Sequence, residues 1–535
     1  AIAVIREAKR WQAMQPPVEP EAALGEARLI DPARRVEPHH PTIAQPAEFE
    51  GPGAEWRSRS QDEILARLNR PHREGRARNV IVFVGDGMSL GTIVASRILD
   101  GQNQGMSGEE NYLPFEQWGH TALIKTYSEN AQVPDSAATA SAIHTGVKTH
   151  SGAISVYARD ILEPCEGGPV PQTLVEMAEE HGLSTGIVSS ARLTHATPAT
   201  TYAHVTDRGW ESDAALPDYA VAAGCTDIAA QLIGTRTGPY GDGLDVALGG
   251  GRAAFLTQDQ GGQRRDRDLT AEWVSEGGVY VDDLAGFNAL DADDDKPVLG
   301  LFNNSHLSYA IDRDPNEEPS LADLTEFAIN RLSNDEDGFY LLVEGGRIDH
   351  AHHGANAARA LNDALAFSEA IDRAQSMVDL DETLILVTAD HGHVFTIAGY
   401  PRRGNPILGL VRPPAPNLTD AETPPMPAGD GRPYTTLGYQ NGGPLRPRGE
   451  DAEPLTDEIV MDPNYRQQSA MPMGAETHSG EDVIAFAVGP WAHLVDGTME
   501  QNTLHHVITH AYGWSATAAM VEADYDDDDD EDDDD

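Results

Sequence analysis

The sequence predicts an α/β fold, a doubly wound and mostly parallel sheet flanked by helices, and three observations support it. Short apolar runs rich in β-branched residues alternate along the chain with segments of helical spacing. These runs are continuously apolar, as in strands buried on both faces. Polar motifs begin where several of the runs end, and sites in open α/β sheets gather beyond the carboxyl ends of strands.

The individual elements follow in chain order. Residues 59–69 are predicted to be helical because Ile64, Leu65 and Leu68 recur at helical spacing, and another helix begins at about Leu90. The remaining predictions are a helix over 174–180 and buried strands over 79–84, 184–189, 339–343, 384–387 and 483–488.

Composition restricts the classes of partner. The 535 residues include 87 acidic and 37 basic side chains, for a formal net charge of -50. The lysines are only Lys9, Lys125, Lys148 and Lys296. This balance predicts no binding to nucleic acids or anionic membranes, which are polyanions. We interpret it as a solvated surface adapted to salt, since salt screens repulsion between like charges. No apolar run reaches the roughly 18 residues of a transmembrane helix.

Two further features concern the cellular location. Residues 1–6 contain neither an initiator Met nor a signal-peptide pattern, which we interpret as a mature chain that is exported, periplasmic or extracellular. Cys165 and Cys225 are either two unrelated buried thiols or one disulfide. A disulfide would suit an exported protein.

We divide the chain into four parts. Residues 1–55, rich in Pro, Ala and Glu, are interpreted as an N-terminal arm, and residues 56–400 with 471–522 as the main α/β domain. Residues 401–470 are rich in Pro and Gly and poor in periodicity, which favours a small inserted subdomain. Residues 523–535 contain an unbroken acidic run, typical of a disordered tail.

Ser136 is the candidate nucleophile. It precedes a strong helix-forming run, residues 137–142, and therefore lies at a helix N-terminus, where N–H groups and the helix dipole favour phosphate. The alternative is an ordinary helix cap. No G-x-S-x-G motif surrounds this serine, so we expect a metal ion as its activator instead of a hydrolase triad.

Histidines paired with aspartates are candidate zinc ligands. Asp349 and His353 are spaced to share one face of a helix, and an Asp with two His is a common zinc set. Asp390 and His391 offer a second oxygen and nitrogen pair at the end of a predicted strand. Any one such pair is more often an exposed turn, so the joint pattern is what predicts a metal site.

Oxygen ligands and one arginine complete the pattern. Glu344 and Asp86 provide the hard oxygen atoms that suit Mg²⁺, and Asp86 is our candidate for a carboxylate that bridges two metal ions. Arg208 has a guanidinium fork that matches two phosphate oxygens. Taken alone, Asp86 would be a turn residue and Arg208 a surface arginine.

Together the motifs resemble those of the alkaline phosphatases, and the animal-type enzymes more closely than the enterobacterial ones. The resemblance spans roughly residues 56–491. The segments concerned are residues 84–88, 135–140, 344–353, 388–391 and 476–482, with 194–198, 399–404 and 465–470 in addition.

This resemblance implies two Zn²⁺ and one Mg²⁺ per subunit. The first zinc would be held by Asp349, His353 and His478, and the second by Asp86, Asp390 and His391 beside Ser136. The magnesium ion would be held by Asp86, Thr197 and Glu344, with His195 and His350 acting on it through water. Arg208 would bind the phosphate, and Cys165 and Cys225 would form a disulfide.

The implied activity is hydrolysis of phosphate monoesters to an alcohol and inorganic phosphate through a phosphoserine on Ser136. The implied assembly is a homodimer in which residues 401–470 form a crown-like subdomain at the interface. The calcium site of the animal enzymes is not expected here in the same form. Asn303 stands where a Glu would be expected, and residues 258–261 replace a longer acidic loop.

Two alternatives were weighed against this interpretation. A phosphodiesterase or sulfatase of the same superfamily would share metal ligands, but Arg208 and a complete three-metal set favour a monoesterase. A non-catalytic metal-binding protein would need neither Ser136 nor Arg208.

Overall fold

The computed structural model describes residues 54–514, except residue 69 and residues 161–164, 166–168, 239–240, 416–422, 445–454 and 470. Nearly all of the predicted N-terminal arm, and the whole acidic tail, lie outside the described residues. The chain divides into two compact units, residues 1–71 and 72–535. In the first unit, the described structure is helix α1 (Ala54–Leu68), which begins five residues before the predicted start at 59.

The second unit is built on a ten-stranded sheet with two small two-stranded sheets beside it. Its strands are β1 (Asn79–Val84), β2 (His120–Lys125), β3 (Ser184–Arg192), β4 (Val246–Gly250), β5 (Val279–Val281), β6 (Val298–Leu301), β7 (Phe339–Glu344), β8 (Thr383–Thr388), β9 (Gly392–His393), β10 (Phe395–Ile397), β11 (Leu437–Tyr439), β12 (His478–Ser479), β13 (Val483–Val488) and β14 (Gly497–Glu500).

The order across the large sheet is β14-β2-β13-β8-β1-β7-β3-β4-β6-β5. Only β13 runs antiparallel to its neighbours, β2 and β8, and every other pair in this sheet is parallel. The predicted doubly wound, mostly parallel sheet is therefore confirmed. Strands β1, β7 and β8 are buried almost throughout, which is why each has an unbroken apolar sequence.

Helices cover the sheet. In the second unit they are α2 (Leu90–Asn103), α3 (Ser136–Thr145), α4 (Leu174–Glu180), α5 (Ala196–Ala199), α6 (Asp218–Ala222), α7 (Ile228–Gly234), α8 (Leu269–Ser275), α9 (Leu284–Asn288), α10 (Leu321–Leu332), α11 (Arg347–His353), α12 (Ala357–Met377), α13 (Asp457–Val460) and α14 (Thr503–Ala511).

Helix α12 shows how the sequence pattern produces the packing. Leu361, Ala364, Phe367 and Ile371 recur at helical spacing and are buried. The ring of Phe367 contacts that of Phe83 in β1 edge to face, with centroids 5.8 Å apart. This contact holds the longest helix against the centre of the sheet.

Within residues 401–470, the described regular elements are β11 and α13. β11 pairs with β10, and Leu437 and Tyr439 share a small buried cluster with Ile98, Phe395 and Ile407. That this segment is a separate inserted subdomain stays a prediction.

The disulfide that the resemblance implied is confirmed. Cys165 and Cys225 form a disulfide, with Cα atoms 5.3 Å apart. Among the described residues, no helix combines the length and apolarity that crossing a membrane requires.

Candidate active site

Neighbouring strands bring the predicted carboxylates together. In the sheet β8, β1 and β7 are adjacent and parallel, so their carboxyl ends meet at one edge. Asp390 follows the end of β8, Asp86 follows β1, and Glu344 ends β7. Gly87, the residue after Asp86, allows the imidazole of His393 to pack closely against this edge. The φ of Gly87 is +70°, and a Cβ there would lie 2.5 Å from that imidazole.

The first group of possible ligands is built from α11 and the short strand β12. The Nε2 atoms of His353 and His478 are 3.0 Å apart, and each is 3.3 Å from Oδ1 of Asp349. Nδ1 of His353 lies 2.6 Å from the carbonyl oxygen of Glu476, and Nδ1 of His478 lies 2.8 Å from that of Pro134. A carbonyl oxygen only accepts, so both Nδ1 atoms donate and both Nε2 lone pairs face the carboxylate.

His393 also belongs to this group, although no sequence pattern described above predicts it. Its Nε2 lies 2.8 Å from Oδ1 of Asp349, and its Nδ1 lies 2.5 Å from Oε2 of Glu476. Burial lowers the pKa of His393, but the charge of Glu476 and the hydrogen bonds to both carboxylates raise it to about 10. His393 is therefore a cation that orients Asp349. The alternation of His391 and His393 was the signal that could have revealed it.

The second group lies around Ser136, the first residue of α3. The Oγ atom of Ser136 lies 3.1 Å from Nε2 of His391 and 3.4 Å from Oδ1 of Asp86. His391 Nε2 is in turn 3.4 Å from Oδ2 of Asp390. Helix α3 is capped by Asp135, whose Oδ1 accepts from the N–H of Ala138 at 3.4 Å.

Burial and charge make this second group unfavourable without a cation. Asp86 and Asp390 are completely buried, and Oδ2 of each has no hydrogen-bond partner among the described residues. Burial raises the pKa of Asp86 well above its ordinary value, and the charges of Asp390, Asp349 and Glu344 raise it further. Unpaired buried acceptors of this kind are what a metal ion satisfies.

The third group contains Asp86, Glu344 and His195, with donor atoms within 4.8 Å of one another. Oε2 of Glu344 accepts a short hydrogen bond from the hydroxyl of Ser189, while Oε1 has no partner among the described residues. The buried hydroxyl of Thr197 in α5 lies beside Glu344 and lowers the pKa of that carboxyl by hydrogen bonding. These oxygen atoms suit a hard cation.

The protonation of His195 follows from its partner. Its Nε2 lies 3.0 Å from Nη2 of Arg208, and a guanidinium only donates, so Nε2 accepts. Burial holds the pKa of His195 well below its ordinary value, so the ring is neutral and Nδ1 bears the hydrogen. Nδ1 is buried and has no hydrogen-bond partner among the described residues. The expected action of His195 through water stays a prediction.

Arg208 is held next to the nucleophile's helix. Its Nη1 lies 3.2 Å from Oδ2 of Asp135, the residue before Ser136, and its side chain is 17% exposed. The guanidinium is thus fixed on two sides, by Asp135 and by His195, and retains access to solvent.

His350 lies beside the third group without belonging to it. Its ring centroid is 5.2 Å from that of His195 and 4.0 Å from that of His306, a residue absent from the sequence prediction. Burial lowers the pKa of His350 to about 3. His350 therefore packs against the third group as a neutral ring.

The three groups fit metal ions, because acceptor atoms converge in each with few donors between them. The first and second each combine carboxylate oxygen with imidazole nitrogen, as zinc sites do, while the third adds a hydroxyl and a second carboxylate. Of the eight predicted metal-binding residues, the structure brings seven into these groups, and Thr197 interacts with Glu344 of the third group. Ser136 contacts the second group, and Arg208 joins through Asp135 and His195.

Comparisons with known proteins agree with this geometry. The model of the alkaline phosphatase family matches residues 77–514. The tissue-nonspecific alkaline phosphatase isozyme of Homo sapiens is 39% identical over 481 residues, covering 85% of this chain and 88% of that protein. The alkaline phosphatase of Gadus morhua is 39% identical over 481 residues, covering 85% of this chain and 96% of that protein.

Solved structures show the same fold. The Thermus thermophilus alkaline phosphatase superposes with a TM-score of 0.59 at 23% identity and covers 86% of this chain and 98% of its own. The alkaline phosphatase of the Antarctic bacterium TAB5 gives a TM-score of 0.56 at 24% identity, with 82% and 99% covered.

Proposed function

This chain belongs to the alkaline phosphatase family, whose members are metal-dependent phosphomonoesterases, and we propose that it hydrolyses phosphate monoesters through a phosphoserine formed on Ser136. The two relatives named above at 39% sequence identity are animal enzymes, as the sequence motifs predicted. The observation that supports the phosphoserine most directly is the position of the Ser136 hydroxyl, at the start of α3 and in contact with the second metal-binding group.

The metal content we propose is two Zn²⁺ and one Mg²⁺. Asp349, His353 and His478 would hold the first zinc; Asp86, Asp390 and His391 would hold the second; and Asp86, Thr197 and Glu344 would hold the magnesium. Such ions, when bound, supply Lewis-acid charge that favours an ionised serine and a departing alkoxide.

The protein's own residues carry out the nucleophilic attack and bind the phosphoryl group. Ser136 attacks phosphorus, the ester alcohol leaves, and water later releases phosphate from Ser136 with inversion at each step. The first N–H groups of α3 have no partner within the helix and face the anion at its N-terminus. Arg208 donates to the equatorial phosphoryl oxygens, where negative charge accumulates.

Neutral His195 and cationic His393 have positioning roles in this proposal. His195 accepts from Arg208 and so fixes the plane of its guanidinium. His393 donates to Asp349, which fixes the carboxylate that faces His353 and His478.

We further propose that the protein is an exported, salt-adapted homodimer, with residues 401–470 as a crown-like segment at the interface. The disulfide between Cys165 and Cys225 supports export, since such bonds persist in oxidising compartments. The net charge of -50 supports salt adaptation.

The test compares an aryl phosphate monoester with the matching diester at alkaline pH, before and after chelation. We expect strong monoester hydrolysis that disappears with chelation and returns when Zn²⁺ and Mg²⁺ are restored together. Restoring Ca²⁺ serves as the control and should not return activity. If the enzyme preferred the diester, the proposed metal site would still stand, but the role given to Arg208 would be wrong.

A further inference from the structure

Gln501 is a buried polar residue beside the candidate active site, and the reaction described above gives it no role. It follows β14 directly and is 1% exposed. Its Nε2–H donates to the carbonyl oxygen of Asp390 at 2.7 Å. Asp390 and His391 are proposed ligands of the second zinc, and we call these two residues the ligand segment. Gln501 therefore contacts the ligand segment through the backbone of Asp390.

The carboxylate of Asp390 is held by a separate set of contacts. Its Oδ1 accepts from the backbone N–H of Gly87 at 3.0 Å and from that of His391 at 2.9 Å. Its Oδ2 has no hydrogen-bond partner among the described residues, so it is the oxygen that suits a metal ion. None of these contacts involves Gln501. Removing the Gln501 contact should therefore shift the ligand segment without removing a metal ligand.

The residue before Gln501 is anchored by two lysines. Glu500 ends β14, and its Oε1 lies 2.8 Å from Nζ of Lys125, the last residue of β2. Oε2 of Glu500 lies 3.1 Å from Nζ of Lys148, three residues beyond the end of α3. Two of the four lysines in the chain thus converge on one carboxylate. These ion pairs connect the segment that carries Gln501 to the chain just after the nucleophile's helix.

The residues after Gln501 contact the same end of α3. Nδ2–H of Asn502 donates to the carbonyl oxygen of Gly146 at 3.1 Å, and Gly146 is the C-cap of α3. Nδ1–H of His505, in α14, donates to the carbonyl oxygen of His144 at 3.2 Å. The last carbonyl groups of a helix have no partner within it, so these two donors satisfy acceptors that α3 leaves open. A Cβ at Gly146 would lie 2.9 Å from the His505 ring, which shows how closely the two elements pack.

Residues 500–505 thus join the ligand segment to the helix whose first residue is Ser136. We propose that Gln501 is a positioning residue for the attack by Ser136, because it holds the ligand segment at a fixed distance from α3. This inference rests on the function proposed above.

The distances in the site make this role sensitive to small displacements. Oγ of Ser136 lies 3.1 Å from Nε2 of His391, so a shift of the ligand segment changes the separation between the nucleophile and the second group directly. A misplacement of about 1 Å at a reacting centre can lower a rate by about 100-fold. Loss of one hydrogen bond to the backbone should allow part of such a shift.

The test compares Gln501→Met with the wild type, since Met keeps the length of the side chain and removes the donor. The control is Gln375→Met in α12, where the glutamine accepts from the indole N–H of Trp118. Trp118 precedes β2, so this contact lies at the opposite end of the strands from the candidate active site. Three quantities are measured on the metal-loaded proteins: zinc content, unfolding midpoint, and the rate of Ser136 phosphorylation by an aryl phosphate in rapid-quench experiments.

We expect Gln501→Met to phosphorylate Ser136 about 10-fold more slowly than the wild type, with equal zinc content. Gln375→Met should react at the wild-type rate. Asn502→Ala keeps the Gln501 donor but releases it from α3, and it should slow phosphorylation by about 3-fold. Combining it with Gln501→Met should slow the reaction no further, because both changes break one connection.

A wild-type rate in Gln501→Met would overturn the positioning role, even if its unfolding midpoint fell. A slower rate that is explained by lost zinc would overturn it as well, and so would independent, additive effects of the two substitutions. If the wild type itself formed no phosphoserine, the proposed function would be wrong and this inference would fail with it. The wild-type measurement therefore separates the two failures.

Discussion

Arg208 illustrates how neighbours determine the role of a single residue. Its two terminal nitrogens contact Asp135 and His195, so the fork is already oriented before substrate arrives. Lysine cannot form both contacts. We expect Arg208→Lys to lower kcat/KM for an aryl phosphate by about 10- to 100-fold and to weaken inhibition by inorganic phosphate.

The control for this prediction is Arg359→Lys, an arginine of α12 paired with Asp312. Arg359→Lys should leave both kcat/KM and the inhibition by inorganic phosphate unchanged. Unaltered phosphate inhibition in Arg208→Lys would show that Arg208 does not contact the phosphoryl group.

His393 provides a second prediction at this scale. Replacing it with Gln removes the cation between Asp349 and Glu476, so the Asp349 carboxylate loses its orientation. We expect zinc affinity to fall by about 10- to 100-fold, measured by competition with a chelator. In the control, His352→Gln, the altered ring contacts Thr92 and Tyr439 instead of a carboxylate. Equal zinc affinity in His393→Gln and the wild type would contradict the positioning role.

At the residue scale, sequence spacing predicted the metal ligands better than it predicted the residues that contact and orient those ligands. Asp349 and His353 could be paired because the helical repeat places them on one face. His306 and Glu476 could not be paired with their partners in the same way. Their contacts depend on how loops fold over the strand ends, which no local period encodes.

At the scale of elements, strands were predictable where they are buried on both faces. The apolar run 79–84 corresponds to β1 without change, and 384–387 lies within β8. Short edge strands such as β5 and β14 are half exposed and mixed in composition, so they lack this signal. The antiparallel direction of β13 could not be predicted from the sequence either, because the apolar pattern of a strand is the same in both directions.

The contact between α4 and β3 leads to a prediction about pH. The Glu179 carboxylate, in α4, accepts from the Thr185 hydroxyl and from the N–H of Gly243. Burial is the largest cause that raises the pKa of Glu179, the hydrogen bond from Thr185 lowers it and the charge of Asp245 raises it, and the net result is a pKa of about 7.

An acid whose pKa is raised by folding makes the folded state less stable as pH rises from its ordinary pKa to the raised one. The wild type should lose about 3 kcal/mol of stability between pH 4.5 and pH 7 through this group, and we expect Glu179→Gln to remove that loss, measured as unfolding midpoints at constant salt. The exposed Glu180→Gln is the control. Parallel pH profiles for Glu179→Gln and the wild type would refute the assignment.

For the whole molecule, charge is the dominant property. With a net charge of -50, the acidic side chains repel one another when the salt concentration is low. We expect the unfolding midpoint and the activity to rise from low to molar NaCl, measured with metal content held constant. A flat series would contradict salt adaptation, and a matching series in sodium sulfate would separate screening from preferential exclusion.

Assembly is the property that the sequence pattern leaves least determined. The predicted dimer depends on a surface formed by residues 401–470, where periodicity is weak and the described residues contain two regular elements, β11 and α13. Composition and spacing describe how a chain buries its own apolar residues. They say little about which loop surface meets a second copy.

The most direct measurement traps the enzyme during turnover. An aryl phosphate monoester is mixed with the metal-loaded enzyme, the reaction is quenched in acid, and peptides are mapped by mass spectrometry. We predict one added phosphoryl group on Ser136, absent from Ser136→Ala, which should retain its metals while its turnover falls by at least about 1,000-fold. Full turnover by Ser136→Ala, or a phosphoryl group on another residue, would contradict the account.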